Sequence, residues 1–369
     1  MILSAKGQFG FSSEPFLVLL QEGGGVGGLF GKNISQGGPA LIRLSTQEIG
    51  ADLATDTILI PSELGYLQSG DIVRLTPHFS EIRVLFRRSS KHNSLFITER
   101  CNSRCIMCSQ PPRKLDDDYL ADDILTMLPW VAKSTEELGI TGGEPTLLGT
   151  RLTEVIRSAK NHLPSTALHM LSNGRRFADL RYAEEIAEVS HPDLMIGIPI
   201  YSDISADHDF IVQAVGAFTE TILGILNLAR VGVRVELRIV IHRETVSALP
   251  RLARFIARNL PFVEQVAFMA LEPTGFARTN IRALWIDPYD YQAELQDAVD
   301  NIRFAGIAPR IYNHQLCVLS SSIRQFAVRS ISDWKNIYLP VCEACSQRAK
   351  CGGFFQSSVN QHFTHLHPF

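Results

Sequence analysis

From Ser94 onward the chain alternates, six times over, between short apolar runs and longer amphipathic stretches. The runs at 95–98, 137–140, 168–171, 194–201, 233–241 and 263–271 are rich in Val, Ile and Leu, as expected of strands covered on both faces. Between them, 118–132, 151–162, 177–189, 208–231 and 246–259 carry helical periodicity. Strand–helix alternation of this kind builds a parallel sheet wrapped by helices. Six steps predict an α/β fold of the partial (β/α)6, TIM-like barrel type, open on one side rather than closed into the eightfold form. Reactive groups in such folds sit on the loops that follow the C-terminal ends of the strands.

The flanks read differently. Residues 1–92 hold short apolar runs at 16–20, 40–44, 57–60, 72–75 and 82–86, divided by turn signals such as Gly37-Gly-Pro and Ser69-Gly-Asp. This predicts a small β-rich N-terminal domain. The glycine-rich stretch 21–31 has no P-loop lysine and reads as a flexible loop. The barrel is assigned to 93–288. The remainder, 289–369, is expected to be a helical segment followed by a loop-rich, cysteine-containing C-terminal extension.

Net charge is −3, which gives no general attraction to nucleic acid or anionic membranes. No apolar run approaches the eighteen residues needed to cross a bilayer, and the opening residues lack a basic-then-apolar leader pattern. The expected setting is cytoplasmic, with neither nucleic acid nor membrane as partner.

The seven cysteines are not scattered. Three stand at 101, 105 and 108, four at 317, 342, 345 and 351, with none in between. In a cytosolic chain such grouping points to metal ligands rather than disulfides. Cys101-Asn-Ser-Arg-Cys105-Ile-Met-Cys108 directly follows the first predicted strand, so it occupies the first loop of the active face. Three thiolates on one loop can hold three irons of a [4Fe–4S] cubane and leave the fourth open to a small molecule. Structural zinc requires four ligands, and His92, the nearest His, precedes the strand and would lie at its wrong end.

CxxxCxxC after a first strand resembles the radical S-adenosylmethionine (SAM) superfamily. A second signature comes one step later. Thr141-Gly142-Gly143-Glu144-Pro145 follows the second predicted strand and resembles the family's motif at the amino group of the bound methionine moiety. The glycines let backbone carbonyls approach a ligand, and Glu144 can accept from an ammonium. The resemblance extends to Ser172 and Asn173 for polar contacts to ribose and carboxylate, to Arg238 for the carboxylate, and to Met269 on the adenine side. Met107 stands where the family usually has an aromatic residue beside adenine. By this resemblance Cys101, Cys105 and Cys108 are the catalytic cluster ligands. His169 and Tyr201 are acid–base candidates to which no role is assigned.

Cys342-Glu-Ala-Cys345 followed by Cys351, with Cys317 as a fourth ligand, suits zinc or an auxiliary [4Fe–4S] cluster equally by spacing. The spacing resembles the SPASM-type extension of peptide-modifying radical enzymes, which favours one auxiliary cluster, with zinc as the alternative. Phe96 to Pro112, the segment Ile198-Pro-Ile-Tyr-Ser-Asp203 and the cysteine tail together resemble the His-Xaa-Ser system radical SAM maturases of the HxsC type. That resemblance implies a peptide or protein substrate with His-Xaa-Ser repeats, a second radical SAM enzyme as partner, and an external one-electron reductant. It implies reductive cleavage of SAM to a 5′-deoxyadenosyl radical that abstracts hydrogen from the substrate. Two alternatives remain: a radical SAM enzyme on a small molecule, of the cofactor-biosynthesis cyclase kind, and a non-catalytic iron–sulfur or zinc protein.

Overall fold

A computed structural model describes residues 3–9, 13–22, 29–35, 41–45, 57–329, 336–358, 361 and 363–369. Residues 23–28, the centre of the predicted glycine-rich loop, lie outside the described residues.

The N-terminal region is an eight-stranded sheet: β1 Ser4–Lys6, β2 Gln8–Phe9, β3 Phe16–Glu22, β4 Leu29–Asn33, β5 Leu41–Ser45, β6 Thr57–Leu59, β7 Ile72–Thr76 and β8 Glu81–Phe86. Its order is β1-β8-β7-β3-β4-β5-β6-β2, antiparallel throughout except for the β5–β6 pair. Side chains of a strand alternate between faces, and in β3 both faces are used. Phe16, Val18 and Leu20 join a small core with Ile58, Val73 and Ile82. Leu17 faces the other way, into the main core with Ile72 and Phe86. This small sheet is therefore packed onto the barrel rather than tethered to it. Asn93 fixes the junction: its side chain donates to the carbonyls of Arg87 (2.9 Å) and Ser90 (3.0 Å) and accepts from the Arg87 amide (2.9 Å).

The barrel strands are β9 Asn93–Phe96, β10 Glu137–Thr141, β11 Ala167–Leu171, β12 Leu194–Pro199, β13 Arg234–Ile241 and β14 Gln265–Ala270. A seventh, β15 Ala308–Tyr312, extends the sheet, whose order is β15-β14-β13-β12-β11-β10-β9 with every neighbour parallel. The six expected strands are thus all present, and the repeat continues beyond residue 288. Ala-Pro-Arg-Ile-Tyr carries a proline at its second position and an arginine at its centre, so it offers no run of Val, Ile and Leu to mark it in the sequence. Ends of strands six places apart would lie roughly 29 Å apart in a flat sheet. Yet Cys101, after β9, and Asn313, after β15, line one cavity, so the sheet is curled.

The outer helices are α1 Tyr119–Met127, α2 Thr150–His162, α3 Leu180–Glu188, α4 Ser205–Val212, α5 Ala217–Arg230, α6 Arg243–Val246, α7 Leu249–Asn259, α8 Gly275–Thr279, α9 Ile281–Leu284 and α10 Gln292–Phe304. In α7, Leu249, Leu252, Ala253 and Ile256 form the buried stripe expected of a helix lying on a sheet. The predicted helix at 208–231 is instead two, bent by 100° between α4 and α5. Gln213 and Gly216 take left-handed φ values of 55° and 80°. Asp209 stabilises the bend by accepting from the amides of Gly216 (2.5 Å) and Phe218 (2.8 Å). Among the described residues no single helix is long and apolar enough to cross a membrane. A short ladder of β16 Asn336–Ile337 and β17 Phe354–Phe355 organises the cysteine-rich tail.

Candidate functional site

The cysteine loop leaves β9 and is held by hydrogen bonds from three other parts of the barrel. Amides of Gly143 and Glu144 donate to the carbonyls of Thr98 and Arg100, both at 2.8 Å. A Cβ on Gly142 would stand 2.3 Å from the Thr98 oxygen, and one on Gly143 would stand 2.2 Å from that of Arg100. The two glycines are therefore required because the cysteine loop lies directly on them. Further along, Arg104 and Ile106 donate to the carbonyls of Val212 (3.0 Å) and Ile211 (2.9 Å) at the end of α4. Phe276 donates to the Cys108 carbonyl at 2.8 Å, and Asn280 donates to that of Ile106 at 2.8 Å.

These contacts turn the three thiols toward a cavity of about 300 Å³ at the C-terminal ends of the strands. Cys101, Cys105, Met107, Cys108, Gly142, Gly143, Ser172, Asn173, Arg238 and Met269 all line it, and Tyr201 joins them. Burial pushes the Cys101 thiol up to about 11 and the Cys105 thiol up to about 12, and it raises Cys108 as well. The free thiols are thus protonated at neutral pH, and binding to iron must displace those protons. A cubane binds one thiolate per iron, so its ligands stand around a cavity rather than meeting at a point. Three thiols on the wall of one pocket, close enough to disfavour one another's charge, fit that geometry.

Glu144 differs from expectation. It is 0% exposed and lies behind the cavity wall rather than on it. One carboxylate oxygen accepts from the Thr146 amide (3.0 Å), the Thr146 hydroxyl (2.6 Å) and the Ser172 hydroxyl (2.8 Å). The other accepts from the Asn173 amide (2.6 Å). Burial raises its pKa although all four donors oppose the shift. Glu144 thereby ties the β10 loop to the β11 loop and leaves the ligand-facing positions to its neighbours. Pro145 is also buried, opening the short helical turn Pro145–Leu148.

Arg238 lines the cavity from β13, and both of its terminal nitrogens are engaged. Nη1 donates to Glu236 Oε1 at 2.6 Å, and Nη2 donates to the Met269 sulfur at 3.2 Å. Gly197 makes room for this: a Cβ there would meet Arg238 Cδ at 2.9 Å and His169 Nε2 at 3.1 Å. His169 sits beside the same carboxylate, with Nε2 3.4 Å from Glu236 Oε1. Burial pushes the Glu236 carboxyl up, but the His169 ring and the Arg238 guanidinium more than reverse this and hold it at about 2. A carboxyl depressed from about 4.5 stabilises the fold fully above that pH, and the contribution disappears as pH falls through about 2. Denaturant unfolding from pH 7 down to 2 should show wild type losing more stability than E236Q over that window. Parallel curves would refute the coupling.

The remaining cysteines also converge. Cys317, Cys342, Cys345 and Cys351 line a second, nearly dry pocket closed by Phe354, Leu366 and Phe369. Cys351 and Cys342 each add to the charge that opposes ionisation of Cys317, so the thiols are mutually close although 34 positions separate the first from the last. The Tyr338 hydroxyl donates to the Cys351 carbonyl (2.7 Å), and the Gly353 amide donates to its sulfur (3.4 Å). Among the described residues no three of these side chains gather as they would around a single metal ion; thiols spread around a pocket instead resemble the ligand set of a cubane, which takes one thiolate per iron.

Asn313, which lines the cavity, and Arg175, which contacts the cysteine loop, belong to no motif read in the sequence. Asn313 directly follows the unpredicted seventh strand in a left-handed conformation, φ 65°. Arg175 comes two positions after Asn173, but only its contacts across the fold distinguish it from a surface arginine.

Residues 95–256 match the family described as the Radical SAM superfamily. GTP 3′,8-cyclase of Bradyrhizobium diazoefficiens is 32% identical over 114 residues, which is 28% of this chain and 31% of that protein. The enzyme of the same name from Rhodopseudomonas palustris is 34% identical over 113 residues, with the same shares. The chain thus spans about a third of the length of the curated relatives it matches. Among solved structures, Streptococcus suis SuiB bound to S-adenosylmethionine aligns with a TM-score of 0.47 at 16% identity, covering 59% of this chain and 49% of that one. Native anSMEcpe with bound AdoMet aligns with a TM-score of 0.46 at 15% identity, covering 59% and 62%. The cysteine loop, the double glycine and part of the cavity wall all lie within or beside the segment 95–256 that matches the radical SAM superfamily.

Proposed function

We propose that this chain is a radical SAM enzyme that modifies a peptide or protein, with a His-Xaa-Ser repeat polypeptide as its substrate. The observation that carries the enzymatic reading is the meeting of Cys101, Cys105 and Cys108 with Gly142, Gly143, Ser172 and Asn173 around one cavity. The three thiols would hold a [4Fe–4S] cluster, and SAM would lie across the ends of β10, β11 and β13. When bound, the cluster supplies the single electron that breaks the sulfonium C–S bond of SAM. The protein contributes placement. The Gly142–Gly143 backbone, Ser172 and Asn173 present polar groups from adjacent strand ends, and Arg238, braced by Glu236, offers positive charge for a carboxylate. Met107, Leu271 and Tyr201 belong to an apolar cluster that helps keep water from the reacting atoms.

The peptide reading rests on the segment around the first cluster and on the second cysteine set, which would hold an auxiliary cluster. The identity to two GTP 3′,8-cyclases favours a second reading, a small-molecule substrate of the purine nucleotide class. Anaerobic, iron-loaded protein given dithionite and SAM should release 5′-deoxyadenosine, and its absence would overturn the enzymatic reading. A His-Xaa-Ser repeat peptide should then change in mass. Consumption of GTP with an unchanged peptide would decide for the second reading. About eight irons per chain would establish the auxiliary cluster, and about four irons with one zinc would replace it.

A further inference from the structure

Between Cys101 and Cys105 lie three residues, and two of them are held by side chains from another strand. Arg175 stands on the turn after β11, opened by Gly174 at φ 79°. Its Nη1 donates to the Asn102 carbonyl (2.7 Å) and the Ser103 hydroxyl (3.2 Å). Its Nε donates to Glu220 on α5 at 2.5 Å, which fixes the plane of the guanidinium. Asn173 adds a parallel link, from its Nδ2 to Asn102 Oδ1 at 2.6 Å. The Arg175 side chain is only 14% exposed, and its Nη1 reaches the residue next to Cys101 and the residue two before Cys105.

We propose that Arg175 is a positioning residue for the cluster: it holds the Asn102–Ser103 span in ligating form, and its fixed charge makes the cluster easier to reduce. The inference rests on the reading that Cys101, Cys105 and Cys108 bind a [4Fe–4S] cluster. Arg175 reaches the loop through Nη1 and Glu220 through Nε, two nitrogens held in one plane, which a lysine with its single nitrogen cannot reproduce. Reduction adds one electron, and so one negative charge, to a partly buried site, and a nearby cation stabilises that added charge. Glu220 offsets part of the effect from the far side of the guanidinium.

The test compares wild type, R175K, R175Q and E220Q after anaerobic reconstitution. Two quantities are read: the rate of iron release to a chelator, and the midpoint of reduction followed by electron paramagnetic resonance. The signal that changes on adding SAM belongs to this cluster. R175K and R175Q should both release iron about tenfold faster, because charge-assisted hydrogen bonds are lost. The midpoint should move negative in R175Q, stay near wild type in R175K, and move positive in E220Q. A purely structural role would change iron release and leave all midpoints together. Unchanged iron release in both Arg175 variants, or an R175Q midpoint equal to wild type, overturns the proposal. E220Q, altered at a half-exposed helix position, keeps the charge arm decisive should R175Q not fold: no shift or a negative one overturns it. If wild type itself binds no iron at this trio, the cluster reading falls and the inference with it.

Discussion

Replacing any one of Cys101, Cys105 and Cys108 with Ala leaves a folded protein that forms no 5′-deoxyadenosine above background. On the proposed cluster reading each thiolate would anchor a separate iron, so losing one would free a corner of the cubane and remove the electron source for SAM cleavage. The cost to folding is small by comparison. All three side chains are only partly buried, and an Ala removes one polarisable atom from each. Thermal melting and far-UV dichroism should stay close to wild type while iron content and product both fall. The informative contrast is C345A, in the second pocket, which should lower total iron yet keep the SAM-dependent signal of the first cluster. Product formation at the wild-type rate by C105A would remove the basis of the enzymatic reading.

E144A is expected to destabilise the fold by about 3 kcal/mol or more, and to weaken SAM binding, although Glu144 lies behind the cavity wall. Its removal leaves the amides of Thr146 and Asn173 and the hydroxyls of Thr146 and Ser172 without their acceptor in a 0% exposed position. Hydrogen bonds to a charged group contribute about 1.5–3 kcal/mol each, and their loss is not additive. E144Q should fall between the two, because its amide turns a donor toward one of those donors. Denaturant unfolding reads the first effect, and calorimetry with SAM reads the second through the displaced Ser172–Asn173 turn. If E144A were as stable as wild type, the hydrogen-bond network would be incidental.

Strand period and cysteine grouping are local properties, and both were legible before any coordinates. Continuous Val/Ile/Leu runs located six parallel strands to within a few residues, and CxxxCxxC and Gly-Gly-Glu-Pro could then be placed on neighbouring loops of one face. The pattern failed where a strand lacks such a run or a helix bends. β15 carries a proline and a central arginine, and the continuous apolar periodicity of 208–231 hid the turn that Asp209 stabilises.

Composition and spacing by themselves determined the class of fold and the face on which the first three thiols and the double glycine stand, because each depends on residue types a few positions apart. Tertiary structure alone decided how those parts are held. Glu144 reads in sequence as a ligand contact, yet donors about thirty residues away claim both of its oxygens and bury it. Arg175 has no motif of its own, and gains a role only because a separate strand brings it against Asn102, more than seventy positions earlier. Hydrogen bonds and burial depend on distance in space, and a linear pattern records distance only along the chain.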